Sequence, residues 1–248
     1  MNAVILAAGR GSRMGAMSED RPKCFVELAH KPLVRRQIDA LRSGGVSTIG
    51  IVRGYLGNMI NIQDVTYFEN PRWAETNMVM SLVAAATWLL SDSVVISYAD
   101  IFYGRDVVRD LAASPGDLVV AYDRNWRSLW SRRFADPLSD AETFRTDAAG
   151  NLIEIGRRTT RIEDIEGQYM GLLKFTPRAW RAVEAVLAGV DAKTRDAMDM
   201  TTLLRALLDS GFSIGTVGIT GQWGEIDSSA DLELYEKMIR EGDLCLEN

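Results

Sequence analysis

The sequence is poor in several of the side chains that build active sites. It holds one histidine, His30, and two cysteines, Cys24 and Cys245. A multi-histidine metal centre is thereby excluded, and any histidine-based triad would have to use His30. The two cysteines stand far apart, without metal-ligand spacing. No run of about 18 apolar residues occurs, so no segment reads as a membrane span. The apolar run Ala3 to Ala8 is too short for a secretory h-region and no basic residue precedes it, so a cytoplasmic, reduced protein is expected. Positive charge is also in deficit, with 28 Lys and Arg against 34 Asp and Glu, a net charge of −6. That balance argues against nucleic acid or an anionic membrane as the main partner, so any polyanion site must be a local basic pocket.

The 248 residues, 47% of them apolar, suffice for one large α/β domain. Short apolar runs alternate with segments of helical period. "NAVILAAG" reads as a buried strand ended by glycine. "PLVRRQIDALRSGG" sets Val34, Ile38 and Leu41 on one helix face before a glycine stop. Strands are expected at 47–52, 65–68, 93–100 and 117–122, and helices at 77–90 and 106–114. This alternation predicts βαβ units in a doubly wound sheet with helices on both faces. Residues 123–144 are polar, aromatic and basic without a clean period. Beyond them strands are expected at 151–156, 167–175 and 212–219, a strand end at 221–227, and helices at 179–189, 200–211 and 229–242. One domain spans 1–248, with 1–122 as the nucleotide-binding half and 123–248 supplying the second substrate's pocket.

The stretch "ILAAGRGSRMGAMSEDRPKCF" (5–25) is a glycine-rich loop after the first strand. A dinucleotide fingerprint fails because Met14 stands where the third glycine belongs. A P-loop fails because Gly9 and Gly15 are one residue too far apart and no lysine follows. A nucleophile elbow fails because Ser12 has Arg10 and Met14, not glycines, two residues away on either side. What remains is Leu6-Ala7-Ala8-Gly9-Arg10-Gly11-Ser12-Arg13-Met14, then Pro22-Lys23. This pattern resembles the nucleotidyltransferases with a GT-A-like fold, which activate sugar phosphates and small phosphorylated alcohols with an NTP.

That resemblance implies a Rossmann-like α/β fold of the GT-A nucleotidyltransferase type, with a mixed, mainly parallel sheet. It also implies a loop of Ala7, Ala8, Gly9, Gly11 and Ser12 whose N–H groups approach phosphate oxygens. Arg13 and Lys23 would offset charge building on the α-phosphate and the departing pyrophosphate. Asp100, at the end of "SYAD", and Asp227, in "WGEID", are the implied Mg²⁺ ligands, as hard carboxylate oxygens suit that ion. Each has a simpler alternative as a turn or helix cap.

"RGY" (53–55), "NPRWAETNMVMSL" (70–82) and "GEIDSSADLELYE" (224–236) resemble the small cytidylyltransferases acting on phosphocholine or 2-aminoethylphosphonate. The implied partners are CTP, or another NTP, and a small phosphate or phosphonate acceptor, with a homodimer as one arrangement. Gly54, Tyr55, Asn77 and Ser81 are candidate nucleotide contacts, although Asn77 could equally cap a helix. Acceptor candidates are Gln168, Tyr169, Trp223 and Glu225. Trp126 and Trp130 could add aromatic faces for a quaternary ammonium, whereas Arg124, Arg127, Arg132 and Arg133 could hold an acidic group. A sugar-1-phosphate thymidylyl- or uridylyltransferase and a non-catalytic nucleotide-binding regulator are the rival readings.

Overall fold

The computed structural model describes residues 1–246; the side chains of Ser12, Arg13 and Ala16 lie outside the described residues. The chain opens with β1 (Asn2–Ala7), then crosses 3-10 turns over Ser12–Ser18 and Lys23–Phe25. The two-residue strands β2 (Glu27–Leu28) and β3 (Lys31–Pro32) form a small hairpin ahead of α1 (Leu33–Ser43). Next come β4 (Thr48–Arg53), β5 (Thr66–Glu69), α2 (Met78–Val83), α3 (Ala86–Leu89), β6 (Val94–Tyr98), β7 (Ile101–Tyr103), α4 (Arg105–Ala113) and β8 (Leu118–Asp123). The second half runs α5 (Trp126–Arg133), β9 (Glu142–Thr146), β10 (Leu152–Arg158), β11 (Gln168–Phe175), α6 (Pro177–Ala188), α7 (Ala192–Ala197), α8 (Met200–Asp209), β12 (Gly215–Ile219), β13 (Trp223–Glu225) and α9 (Ser229–Glu241).

Seven strands form one sheet in the order β12-β8-β11-β6-β1-β4-β5. Every neighbouring pair is parallel except those made by β11, which runs antiparallel to both β6 and β8. The fold is thus α/β, with a mixed, mainly parallel sheet. The period-2 alternation of β1 explains both layers. Ala3, Ile5 and Ala7 face a cluster shared with α1 and α4, through Ile38, Leu41, Val108 and Leu111. Val4 and Leu6 face the opposite cluster, with Val79, Leu82, Val183 and Leu204. Near-continuous apolar strands of this kind are what a sheet covered on both faces requires. Each such buried side chain contributes about 1.5–3 kcal/mol.

Two expectations differ from what is found. The helix expected at 77–90 is broken into α2 and α3 at Ala84–Ala85. The break leaves Val79 and Leu82 on the sheet while Trp88 meets Phe68 of β5 edge to face, with ring centroids 5.1 Å apart. Tertiary packing here outweighs helix propensity. Residues 123–144, read as aperiodic, contain α5 and β9. In α5 only Trp126 and Trp130 are buried, a single i, i+4 pair too short to register as a period.

The chain leaves β1 for β4 and β5 on one side, then returns to place β6 on the other side of β1. The strand order therefore reverses beside β1, and a crevice opens at the carboxyl ends of β1 and β6. Open α/β sheets bind ligands at such a point.

Candidate active site

A cavity of about 270 Å³ fills that crevice. Ala7, Ala8, Gly9 and Gly11 line it from the loop after β1, and Asn77, Met78 and Ser81 from the start of α2. Gly11 sits at φ +67°, a left-handed conformation, and a Cβ there would stand 2.9 Å from the Lys23 side chain. Glycine thus lets the loop close down on the lysine stem. Asn77 caps α2, its Oδ1 accepting from Met78 N–H at 2.8 Å, while its amide donates to Ala197 O. Ser81 is buried and accepts from Asn70 Nδ2 at 3.0 Å.

Gly54 and Tyr55 stand outside this lining and brace it. Tyr55 N–H donates to Ala8 O at 2.9 Å, and its hydroxyl donates to Glu19 O at 2.8 Å. A Cβ on Gly54 would stand 2.6 Å from Ala8 O, so only glycine permits this approach. The candidates Ser12 and Arg13 lie, as side chains, outside the described residues.

Lys23 closes the cavity floor. Its ammonium donates to Asp100 Oδ2 at 2.7 Å and to Asp227 Oδ1 at 2.6 Å. These residues are 77 and 204 positions away in sequence. Burial alone would lower the Lys23 pKa, but the charges of the two aspartates outweigh it and hold the ammonium above its ordinary value. Glu225 joins the group: it, Asp100 and Asp227 can each turn an oxygen to within 4.8 Å of the others. Burial, then the charges of Asp227 and Asp100, push the Glu225 carboxyl up to about 8. Asp100 Oδ1 is buried and has no hydrogen-bond partner. Three converging carboxylates with one orphaned oxygen fit a hard divalent metal ion.

Neighbouring elements hold these groups. Antiparallel pairing of β13 with β7, extended by Ile226 N–H to Asp100 O at 2.9 Å, sets Asp227 beside Asp100. Gln37, fully buried on α1, donates from Nε2 to Tyr98 O and Ile101 O at 2.8 and 2.6 Å and so clamps the turn that carries Asp100. Asp231 of α9 accepts from Asp227 N–H at 3.1 Å, Ser228 N–H at 3.0 Å and Arg133 Nε at 2.8 Å. Arg133 also lies 3.6 Å from Glu225. The sequence reading missed both supports, although each left a signal. Gln37 interrupts the apolar stripe Val34-Ile38-Leu41, and Ser228-x-x-Asp231 is a capping box.

A second cavity, of about 330 Å³, adjoins the first and shares Met78 and Tyr98 with it. Gln168, Tyr169, Trp223 and Glu225 all line it. The Gln168 amide is taken up by the fold: Nε2 donates to Glu142 O at 2.7 Å, and Oε1 accepts from Glu142 N–H at 3.3 Å. Trp130 also lines the cavity, stacked on Trp223 at 6.0 Å. Trp126 and the four arginine candidates are not among its lining residues. Arg133 is paired inside with Asp231, and Arg132 with Asp243 at the surface. Glu142, Asp140, Asp199 and Arg158 line this cavity and were not anticipated.

Comparison with known proteins shows the family and the fold. Residues 3–196 match the MobA-like NTP transferase domain. The chain is 38% identical over 250 residues to the CTP:phosphoglutamine cytidylyltransferase of Campylobacter jejuni subsp. jejuni serotype O:2, covering 94% of this chain and 98% of that one. It is 32% identical over 161 residues to the choline-phosphate cytidylyltransferase of Streptococcus pneumoniae, covering 62% of this chain and 67% of that one. The inositol-1-phosphate CTP transferase from T. maritima shares the fold, with a TM-score of 0.73, 20% identity and 98% of each chain covered.

Proposed function

This chain belongs to the MobA-like NTP transferase domain family, and from that premise we propose that it transfers a cytidylyl group from CTP to a small phosphorylated or phosphonate acceptor, releasing pyrophosphate. The observation that carries the reading is the Lys23–Asp100–Asp227 cluster, which stands where a glycine-loop cavity meets a second cavity. Residues 1–122 hold the nucleotide and 123–248 supply the acceptor pocket and Asp227, within one domain whose sheet draws strands from both halves. Phosphoglutamine, the acceptor in the name of the 38% identical relative, is the first acceptor to test.

The reaction is an in-line displacement. An acceptor phosphate oxygen forms a bond to the α-phosphorus of CTP, and the bond from that phosphorus to the bridging oxygen breaks. Its electron pair leaves with pyrophosphate. A phosphomonoester's second pKa is about 6, so the attacking oxygen is already deprotonated at pH 7 and no general base is required. A site without histidine is sufficient for this chemistry. The chain's own work is positioning and charge neutralisation. The loop of Ala7, Ala8, Gly9, Gly11 and Ser12 cradles the triphosphate, and Asn77 and Ser81 border the base. Lys23, charged throughout the neutral range, faces the phosphates, and the family resemblance assigns Arg13 to offset charge there as well. Asp100 and Asp227, with Glu225 beside them, are the residues that would hold Mg²⁺. That ion, when bound, would polarise phosphate oxygens and neutralise the leaving group.

The reading places the enzyme in the cytoplasm, with Cys24 and Cys245 as free thiols, and allows two copies to pair. Pyrophosphate release tests the reaction, with CTP, UTP, dTTP and ATP crossed against phosphoglutamine, phosphocholine, 2-aminoethylphosphonate and glucose 1-phosphate. CTP with a nitrogen-bearing acceptor is expected to turn over. Release only with dTTP or UTP and glucose 1-phosphate would transfer the chain to the sugar-nucleotide enzymes. Metal-independent nucleotide binding without release would make it a regulator.

A further inference from the structure

The second cavity carries more chemistry than phosphate transfer needs. Apart from Glu225 and Asp227, its lining includes Asp140, Glu142 and Asp199 and a single cation, Arg158. These charges come from β9, β10 and the turns that precede β9 and α8, not from the stretch of β13 and beyond that carries Glu225 and Asp227. Glu142 is held in place by backbone alone, through both ends of the Gln168 amide. Its own carboxylate makes no hydrogen bond or ion pair among the described residues. Burial raises the Glu142 carboxyl above its ordinary range, with Arg158 and Arg205 pulling the other way and Asp199 and Asp140 adding to the rise. Arg158 stands directly across from Glu142 in the β9–β10 pair, yet no hydrogen bond joins them, so a carboxylate and a guanidinium lie side by side with donors and acceptors left for a ligand.

Arg158 is arranged differently. One nitrogen, Nη1, donates to Ser139 O at 2.8 Å and Asp140 O at 3.1 Å, which anchors the guanidinium and leaves the rest of its fork for an anion. Asp140 is anchored too, accepting from Trp130 Nε1 at 3.0 Å. Trp223 is more than nine-tenths buried, lines the same cavity, and its indole N–H has no partner, so one further donor is left for a ligand oxygen. An acid without a partner, a half-anchored arginine and an idle donor in one cavity suit neither a hexose, which carries no charge away from its phosphate, nor a quaternary ammonium alone.

We propose that this cavity recognises the end of the acceptor remote from its phosphate as a zwitterionic amino-acid head, Glu142 receiving the ammonium and Arg158 the carboxylate. The inference rests on the cytidylyl-transfer reading and specifies its acceptor. Asp140 and Asp199 add negative potential around the ammonium, and the stacked Trp130–Trp223 pair forms an apolar wall beside the linking carbons.

The test uses four phosphates of matched length. O-phospho-L-homoserine carries both charges, 3-aminopropyl phosphate lacks the carboxylate, 4-phosphooxybutanoate lacks the ammonium, and propyl phosphate lacks both. Binding is measured calorimetrically on the full chain with Mg²⁺ and α,β-methylene-CTP, which cannot release pyrophosphate. The wild type should bind the zwitterion about tenfold or more tightly than either singly charged analogue, the scale of a charge-assisted hydrogen bond. Glu142→Gln, which removes no bond of the fold, should abolish the preference for ammonium-bearing probes. Arg158→Gln should abolish the preference for carboxylate-bearing ones. Four probes bound equally by the wild type, or an ammonium preference that survives Glu142→Gln, would overturn the proposal. Pyrophosphate release from CTP with the same probes separates it from the reading beneath it. Equal turnover of all four supports the transfer and overturns head recognition. Selective binding without release supports head recognition and overturns the transfer.

Discussion

Replacing Lys23 by Met keeps the stem that packs under Gly11 and removes one charge. The ammonium bridges Asp100 and Asp227 at 2.7 and 2.6 Å, and Glu225 can bring a third carboxylate oxygen within 4.8 Å of theirs. At an effective dielectric of about 20, two like charges at that separation repel by about 3–4 kcal/mol. Without the lysine, the protein relieves this most cheaply by taking up a proton. Lys23→Met should therefore lose roughly 3–4 kcal/mol at pH 7 in EDTA, which in a chain of this size lowers Tm by about 6–16 °C. The sign with pH follows from linkage. Carboxylates left to repel one another take up protons more readily in the folded than in the unfolded state, so the penalty is full at high pH and fades as pH falls. Mg²⁺ should restore more stability to the variant than to the wild type, because it supplies the missing charge. Thermal melts of both proteins at pH 5 and 8, in EDTA and in Mg²⁺, measure all of this. Equal Tm values at pH 8 in EDTA, or a deficit that widens as pH falls, would refute the electrostatic account.

Asp231→Asn strips the charged partner from the interior guanidinium of Arg133 and loosens the turn carrying Asp227; a loss of about 3 kcal/mol is expected, with Mg²⁺ affinity weakened in calorimetric titration. Gly54→Ala drives a Cβ to 2.6 Å from Ala8 O and 2.7 Å from Trp73 Cβ; it should destabilise by about 1–3 kcal/mol in urea melts and raise the KM for CTP more than that for the acceptor. Asp123 is buried, and that burial pushes its carboxyl up to about 6 from an ordinary 3.8. Between those values the folded state binds more protons than the unfolded, so stability falls as pH rises, by about 2–3 kcal/mol across the window. Asp123→Asn should flatten that slope in denaturant titrations run from pH 4 to 8, and an unchanged slope would remove burial as the cause.

The front half was legible because its signals are local. An apolar run ending in glycine marks β1, and a 3.6-residue stripe with a glycine stop marks α1. The spacing of Gly9, Gly11 and Lys23 separates this loop from other phosphate loops within a score of residues. The carboxylates could be named through the family resemblance, each standing just past the end of a strand, yet nothing local reveals that Lys23 bridges both. That contact depends on β7 and β13, three residues each, and short strands carry little period. Glu142 was hidden for a related reason. Its stretch holds one buried tryptophan pair in α5 and a five-residue strand, so its polarity reads as surface.

The remaining gap concerns direction. Alternation identifies β11 as a strand but does not say which way it runs. Antiparallel pairing puts Leu172 beside Ser97 and Phe175 beside Val94, so the start of β11, at Gln168 and Tyr169, lies at the sheet edge where β6 ends. Parallel pairing would have carried Gln168 to the opposite edge and taken the backbone anchor of Glu142 with it. One reversed strand therefore brings the second cavity alongside the first, with Met78 and Tyr98 shared between them. Strand order makes the crevice at β1, and strand direction makes the pocket that adjoins it. Of the two, only the first follows from a run of alternating elements, because successive βαβ units have a near-obligatory hand. The orientation of a strand entered from a long irregular segment has no such rule. That is why the loop at Gly9 pointed to a reaction while the acceptor class we propose rests on side chains assembled around β9, β10 and β11.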